Sequence, residues 1–454
     1  MSAGSKRINI PAAVQQSQSA APTASETRYA WFVLVVLVTV YGFNFADRYL
    51  FIIMMEPIKA DLRLSDTQLG LISGLGFSLV YGLSGLVVAR LADVGNRRSL
   101  LAWALAAWSG LTAVCGLAGN FGQLLLIRMG VGVAESGCSP PAHSLISDYF
   151  PTGRRGAAFS IYSVGLDLGM ALGFALGGWI GLHYGWRTAF VVIGLPGILL
   201  AVFTRFTVRE PERGATDSGA VDTARYSVRE AIAYLFAHES FLAYILGSSL
   251  FVFAGTAIDS WAPLFLMRVH GLPSDQVGLW TGTLGSVAGF AGSLTAGWCA
   301  DRLTSRGLPW NQGRGDLRWN LGVAMGGFLM VIPTTLGFLF GTVHVVPLFY
   351  FLAVYFNSFY MAPTIAITHA LLPVRMRSLG SAVLLLGYNL VGTSGANFVI
   401  GRISDLWAAS SGVDSVRYAM AMSLLAGAGG VGCTVFALLR LPRDFAQVSS
   451  EQRS

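Results

Sequence analysis

The sequence predicts an all-α membrane protein of twelve transmembrane helices, built as two pseudo-symmetric six-helix bundles around one central pathway. Three observations carry that prediction: the composition, the recurrence of long apolar windows, and a charged turn that repeats between the two halves. Of 454 residues, 54% are hydrophobic and only 12% charged, with glycine at 55 positions. That leaves too little polar side chain to cover a water-facing surface. A helix needs about 20 mostly apolar residues to cross a hydrocarbon core of about 30 Å. Windows of this kind begin near Trp31, Asp66, Leu100, Phe121, Ala157, Thr188, Phe241, Asp275, Trp319, Val346, Ser378 and Tyr418. They are continuous rather than alternating, which excludes a transmembrane barrel, since lipid leaves no partner for unpaired strand edges.

Taken in order, residues 1–28 are rich in Ser, Ala and Gln and lack a continuous apolar core, so they are expected to be a disordered, uncleaved cytoplasmic tail. Residues 29–206 form the first six-helix bundle and residues 207–239 a polar cytoplasmic linker. The second bundle follows over 240–441, and a cytoplasmic tail over 442–454. Sidedness comes from the basic residues. With the N-terminus inside, Lys59, Arg63, Arg187, Arg268, Arg402 and Arg417 lie outside and Arg48 and Arg128 within the membrane, while the remaining 22 of the 30 Lys and Arg lie inside. Both termini are therefore expected to be cytoplasmic. Asp93 ends the second span beside Arg97 and Arg98, and Asp301 ends the eighth beside Arg302. This offset of 208 residues nearly equals the 210 between Trp31 and Phe241, as expected of a parallel duplication.

Several function classes fall away. The formal charge of +7 is spread over short loops, which fits anionic lipid better than nucleic acid. Cys115, Cys138, Cys299 and Cys433 stand apart in apolar windows and are read as small core residues. The six His lack metal-ligand spacing. Gly427-Ala-Gly429-Gly-Val-Gly432 matches a dinucleotide pattern but lies inside the last span with no preceding strand, so it is read as packing. The only lysines, Lys6 and Lys59, are in no phosphate-loop context. No enzyme activity, metal or cofactor is expected, and any transport must be secondary or facilitated rather than driven by ATP.

The costly residues identify the site. Asp47 and Arg48 sit inside the first span, where an ionisable group costs at least about 2.5–3.5 kcal/mol unless it faces protein or water. Arg128 and Glu135 are seven residues apart on the fourth span, so both return to nearly one face, roughly 10 Å apart along the axis. At about 1.5 Å per residue, Asp47 and Arg128 reach the same depth. They are expected to approach each other, with Glu135 nearer the cytoplasm. Asp47 and Glu135 are read as proton-coupling acids, because the stability of a buried carboxylate depends on whether a guanidinium is at hand. Arg128 is read as a charge relay. Arg48, about 100° from Asp47, is read as a substrate-binding group that grips phosphate or carboxylate, or else as a local ion pair. Asp167, Asp259, Trp261, Tyr360, Tyr388 and Asn389 are candidates to line the cavity. The Gly169-Gly173-Gly177 ladder is read as close helix packing that permits rocking.

At this point the chain resembles the major facilitator superfamily. Ala89-Arg-Leu-Ala-Asp93-Val-Gly-Asn-Arg97-Arg98 is similar to the family's Gly-x-Leu-Ala-Asp-Arg-x-Gly-Arg-Arg turn, departing from it at Ala89, Val94 and Asn96. Gly297-Trp-Cys-Ala-Asp301-Arg302 repeats its core. Arg128-x-x-x-Gly132-x-Ala134, the helix-five glycine ladder and Gly185-Trp186-Arg187 add to the likeness. Asn44 to Arg48, Glu135 with Pro140-Pro141, Asp148-Tyr-Phe-Pro151, Arg209 to Arg213 and Trp261 to Phe265 resemble the spinster branch, in a bacterial homologue. The resemblance implies a cytoplasmic gate at Asp93, Arg97, Asp301 and Arg302. It also implies alternating access, and a lysolipid-like anion as substrate. The function expected is that of a proton-coupled secondary transporter for a small amphiphilic or anionic solute. An uncoupled facilitator, or a scramblase or sensor with the same fold, is the alternative. Protons, membrane lipid and the solute are the expected partners, with no nucleic acid, for a monomer in the cell inner membrane.

Overall fold

The computed structural model describes residues 24–213, 239–306, 316–372 and 377–451, and every element among them is helical. The middle of the linker, residues 214–238, and residues 1–23 of the N-terminal tail lie outside the described residues. In the first half, α1 spans Ala24–Leu62, α2 Asp66–Ser73, α3 Leu75–Val94, α4 Arg97–Cys115, α5 Phe121–Glu135, α6 Ser139–Tyr149 and α7 Thr152–Thr207. In the second, α8 spans Glu239–His270, α9 Ser274–Arg306, α10 Trp319–Phe340, α11 Val346–Asn357, α12 Met361–Leu371 and α13 Arg377–Gly387. A π-helical segment covers Tyr388–Ser394, followed by α14 at Gly395–Ser411 and α15 at Ser415–Glu451.

Local chemistry explains the breaks. Ser65 and Gln68 form a reciprocal capping box that starts α2, and Asn120 caps α5 by accepting from the Gln123 amide. α5 and α6 meet at a turn, where Pro140 and Pro141 sit in the first turn of α6 and lack the amide protons that a continuing helix would need. α7 is broken at Gly185, whose φ of 82° and ψ of 159° suit glycine alone. Dividing α7 there, and joining α2 to α3, α5 to α6, α11 to α12, and α13 through the π segment to α14, gives twelve traverses among the described residues.

Eight described stretches are long and apolar enough to cross a membrane, and two of these, Thr152–Thr207 and Gly380–Asp444, hold two traverses each. The interrupted α5–α6 and the Gly/Ser/Thr-rich α9 supply the other two. Trp103, Leu117, Leu199, Phe206 and Leu439 are 73–80% exposed on the outer surface, an arrangement suited to lipid and unfavourable in water. Two ends extend further than the sequence implied, since α1 starts at Ala24 within the expected tail and α15 continues to Glu451.

The two halves meet along equivalent seams. The second traverse packs on the eleventh through α2 and α14, and the eighth on the fifth through α9 and α7. A shift of six traverses exchanges these two pairs, as a pseudo-two-fold relation requires. Within the first half, a side chain at Gly165, Gly169 or Gly173 would run into the backbone of α1 at Val38, Gly42 or Ala46. The glycine ladder therefore seats α7 on α1 rather than on the other half. Gly178 instead faces Gly278 and Ser274 across the seam, and Ser274 Oγ donates to the Gly178 carbonyl at 2.9 Å. Gly427 and Gly430 pack against Phe328 and the Gly247 backbone, so the dinucleotide-like run is a packing motif. Cys115 and Cys138 are buried, whereas Cys299 and Cys433 are only partly so.

Candidate functional site

Midway along α1, two carboxylates and two guanidiniums are held together away from bulk water. Asp47 is 2% exposed. Thr112 Oγ1 donates to its Oδ2 at 2.7 Å, and Arg128 reaches its Oδ1 at 3.5 Å. Arg48 Nε donates to Glu135 Oε2 at 2.7 Å. Glu135 is fully buried, and among the described residues its Oε1 has no hydrogen-bond partner, nor has Arg128 Nε. Phe77 lies between the cations, its ring centroid 4.9 Å from the Arg48 guanidinium carbon and 5.1 Å from that of Arg128. Phe45 and Tyr81 cover Arg48 at 5.0 and 4.7 Å, and Phe51 covers Arg128 at 4.8 Å. Ring faces stabilise a desolvated cation without neutralising it, so the charge of each guanidinium is balanced by its carboxylate partner.

The cluster borders a cavity of about 320 Å³ between the halves. From the first half it receives Phe45, Arg48, Tyr49, Ile52, Phe77, Ser78 and Arg128; from the second, Thr256, Asp259, Ser260, Tyr360, Tyr388, Asn389 and Asn397. Phe45, Arg48, Tyr49 and Ile52 recur at helical spacing and so form one stripe of α1. That stripe was the sequence signal for Tyr49 and Phe45, which the sequence reading missed. Tyr388 and Asn389 belong to the π segment, which widens the helix and turns both residues to the cavity. Tyr388 hydrogen-bonds Thr364 at 2.6 Å and stacks edge-on with Tyr360.

Three expectations need correction. The expected approach of Asp47 and Arg128 is present, but Glu135 pairs with Arg48, not with that couple alone. Side chains lean toward the N-terminal end of their own helix, so the long Arg48 side chain descends to the depth of Glu135. Trp261 does not line the cavity. It lies two residues, about 200° of turn, from Asp259, is fully buried, and donates from Nε1 to Asn397 Oδ1 at 2.9 Å. Asp167 is absent from the cavity wall; its carboxylate faces α9, where a Cβ at Gly289 would lie 3.9 Å from Oδ1, and Ser286 Oγ donates to its backbone carbonyl at 2.9 Å.

The expected gate residues divide into one buried and three exposed groups in this conformation. Arg97 is 1% exposed and engaged within its own half. It pairs with Asp148, donates to Ser144 Oγ at 2.9 Å, and holds Glu210 at 2.7 Å and the Pro211 carbonyl at 2.8 Å at the start of the linker. Arg213 in turn bonds the Ala92 and Gly95 carbonyls at 2.9 and 2.7 Å. The linker entrance thus packs against the turn between α3 and α4. Asp93, Asp301 and Arg302 are exposed, and Arg302 lies over its neighbour Trp298.

The halves are tied instead at the end of the bundle away from the chain termini. Arg268 of α8 binds Asp66 at 2.7 Å and Glu56 at 2.7 Å, and Lys59 binds Asp66 at 2.6 Å. Ser404 Oγ donates to Asp66 Oδ2 at 2.6 Å. Asp405 of α14 accepts from the Asp66 and Thr67 amides at 2.9 and 2.8 Å, capping α2 across the seam. Close backbone approaches accompany this lattice, with Gly70 against Asn397 and Gly401 against Asp66. By contrast, at the other end a Cβ at Gly85 or Gly297 would meet nothing within 4 Å. This lattice joins residues that are hundreds of positions apart, and nothing in their local spacing pointed to it.

Comparison with known proteins agrees with this architecture. Residues 37–396 match the family model described as Major Facilitator Superfamily. An MFS-type efflux pump of Mycolicibacterium smegmatis is 32% identical over 423 residues, covering 92% of this chain and 95% of that one. A Bacillus subtilis protein named "Probable galactarate/D-glucarate transporter GudP" is 25% identical over 313 residues, 64% of this chain and 68% of the relative. The crystal structure of a bacterial homolog to the human lysosomal transporter Spinster, inward-facing and unoccupied, superposes with a TM-score of 0.76 at 28% identity. It covers 93% of this chain and 97% of that one.

Proposed function

The chain belongs to the Major Facilitator Superfamily, and from that premise we propose that it is a proton-coupled secondary transporter that moves a small anionic or amphiphilic solute by alternating access. One observation carries the reading: Arg48 faces the cavity while its Nε is bonded to the fully buried Glu135. A single guanidinium thus connects solute and proton. While Glu135 is ionised it holds Arg48. When Glu135 is protonated, the attraction weakens and Arg48 is free to grip a carboxylate or phosphate in the cavity. Asp47 holds Arg128 more loosely, at 3.5 Å, and the two carboxylates are close enough to influence each other. A proton on either acid therefore changes the charge felt by both guanidiniums. In this scheme anion and proton bind together.

With both termini in the cytoplasm of a cell whose inner membrane holds the protein, the Asp66–Arg268 lattice seals the outer side and the cavity opens inward. Releasing the lattice while closing the opposite end would expose the same cavity outward. The solute classes in the names of the relatives, efflux substrates and sugar acids, are compatible with a cationic wall without specifying the solute. The test is a thermal-stabilisation screen of organic anions and amphoteric solutes on purified protein at acidic and neutral pH. An anion should stabilise the protein more at acidic pH, and Glu135→Gln should abolish the pH difference. Stabilisation by anions that is equal at both pH values in the wild type would overturn the linkage.

A further inference from the structure

We propose that Asp259, with Tyr49 and Tyr360, forms an ammonium-binding subsite across the cavity from Arg48, so that the solute is amphoteric and carries both an acidic and an amino or substituted ammonium group. The anionic half of this assignment rests on the function proposed above; the cationic half has its own basis.

That basis is a charge balance. Among the ionisable groups lining the cavity, Arg48 is matched by Glu135 and Arg128 by Asp47. Asp259 is the remaining charge. It lies on α8, and the one bond described for it is a neutral amide: Asn357 Nδ2 donates to Oδ2 at 3.0 Å. Among the described residues no Lys, Arg or His forms an ion pair with it. Asp259 is partly buried and meets the cavity, so a positively charged ligand group entering there would supply the counter-charge that the protein does not. Asn357 leaves the second carboxyl oxygen for that ligand and holds the group in place from outside the cavity wall.

The surroundings fit a cation. Tyr49 from α1 and Tyr360 from the turn before α12 line the same cavity as Asp259. Their rings present negative faces and their hydroxyls can accept from an ammonium N–H. Tyr388 meets Tyr360 edge-to-face at 5.2 Å and fixes its ring. Asp259 and Arg48 come from opposite halves, so a solute bound to both bridges the halves. A cavity of about 320 Å³ is at the small end of ligand sites, which suits a compact solute with its two charges less than about 10 Å apart.

A matched six-carbon series tests the subsite on the full-length purified protein: 6-aminohexanoate carries both charges, hexanoate the acid alone, hexylammonium the amine alone, and hexanol neither. In the wild type, hexylammonium should raise the melting temperature above the effect of hexanol, and 6-aminohexanoate should exceed hexanoate. Asp259→Asn should erase both differences and keep the response to hexanoate, whereas Asp259→Glu should retain them in part. If hexylammonium is no better than hexanol in the wild type, the subsite is wrong whatever the variants do. If it is better but equally so in Asp259→Asn, the cation binds elsewhere. Loss of the hexanoate response, with hexylammonium still binding through Asp259, would instead remove the anion reading and leave the ammonium subsite standing.

Discussion

Arg48 on α1 donates to Glu135 at the end of α5 over 2.7 Å, joining a residue that faces the cavity to one that water does not reach. Removing one partner of a buried charge pair costs about 3–5 kcal/mol, and the 22% exposure of the Arg48 side chain to the cavity lowers that figure. Arg48→Gln should therefore reduce stability toward the low end of that range. Arg48→Gln with Glu135→Gln should regain most of the loss, because neither partner then leaves the other's charge buried and unpaired. Thermal denaturation of the parent and the two variants in detergent checks this, and a double variant as unstable as the single one would show that the pair is not the source.

The lattice around Asp66 makes a prediction about conformation rather than folding. Asp66 accepts from Arg268, Lys59 and Ser404, two of which lie on the opposite half. Asp66→Asn or Arg268→Gln should shift the population toward an arrangement open at that end. Arg63 and Arg402 are exposed, one on each side of the seam. Spin labels placed there should report a longer distance in Asp66→Asn than in the parent, and an unchanged distribution would count against the lattice as a lock.

Two glycines separate seam from core. A Cβ at Gly70 would collide with the Asn397 backbone across the seam, whereas one at Gly173 would collide with Ala46 inside the first half. Gly70→Ala should open the far end and leave the melting temperature within a few degrees, because the halves can part there. Gly173→Leu should destabilise the fold by about 1–3 kcal/mol or more, the usual cost of overpacking. The same spin-label pair together with thermal denaturation distinguishes these outcomes.

Much of the fold was legible because lipid enforces it. Helix starts expected at Asp66, Phe121, Trp319 and Val346 coincide with observed ones, since an apolar window in a bilayer has no alternative to a helix. The meeting of Asp47 with Arg128 followed from depth, which counts residues at a fixed rise. Side-chain reach was not legible in the same way. Arg48 turns back along its helix to Glu135, and Trp261 points away from the wall that Asp259 lines. The fate of Arg97 was also hidden, because its partner Glu210 lies in the linker and depends on how that strand of chain folds back. Cross-seam contacts such as Asp66 with Arg268 depend on the packing of the halves and leave no pattern in either segment alone.

The most direct test of coupling through Glu135 is uptake of a ligand from the stabilisation screen into proteoliposomes under an imposed pH gradient. Wild-type protein should concentrate the ligand above its external level while the gradient lasts. Glu135→Gln, which preserves a hydrogen-bond acceptor for Arg48 but carries no titratable proton, should only equilibrate it. Accumulation by Glu135→Gln to the wild-type ratio would contradict the account.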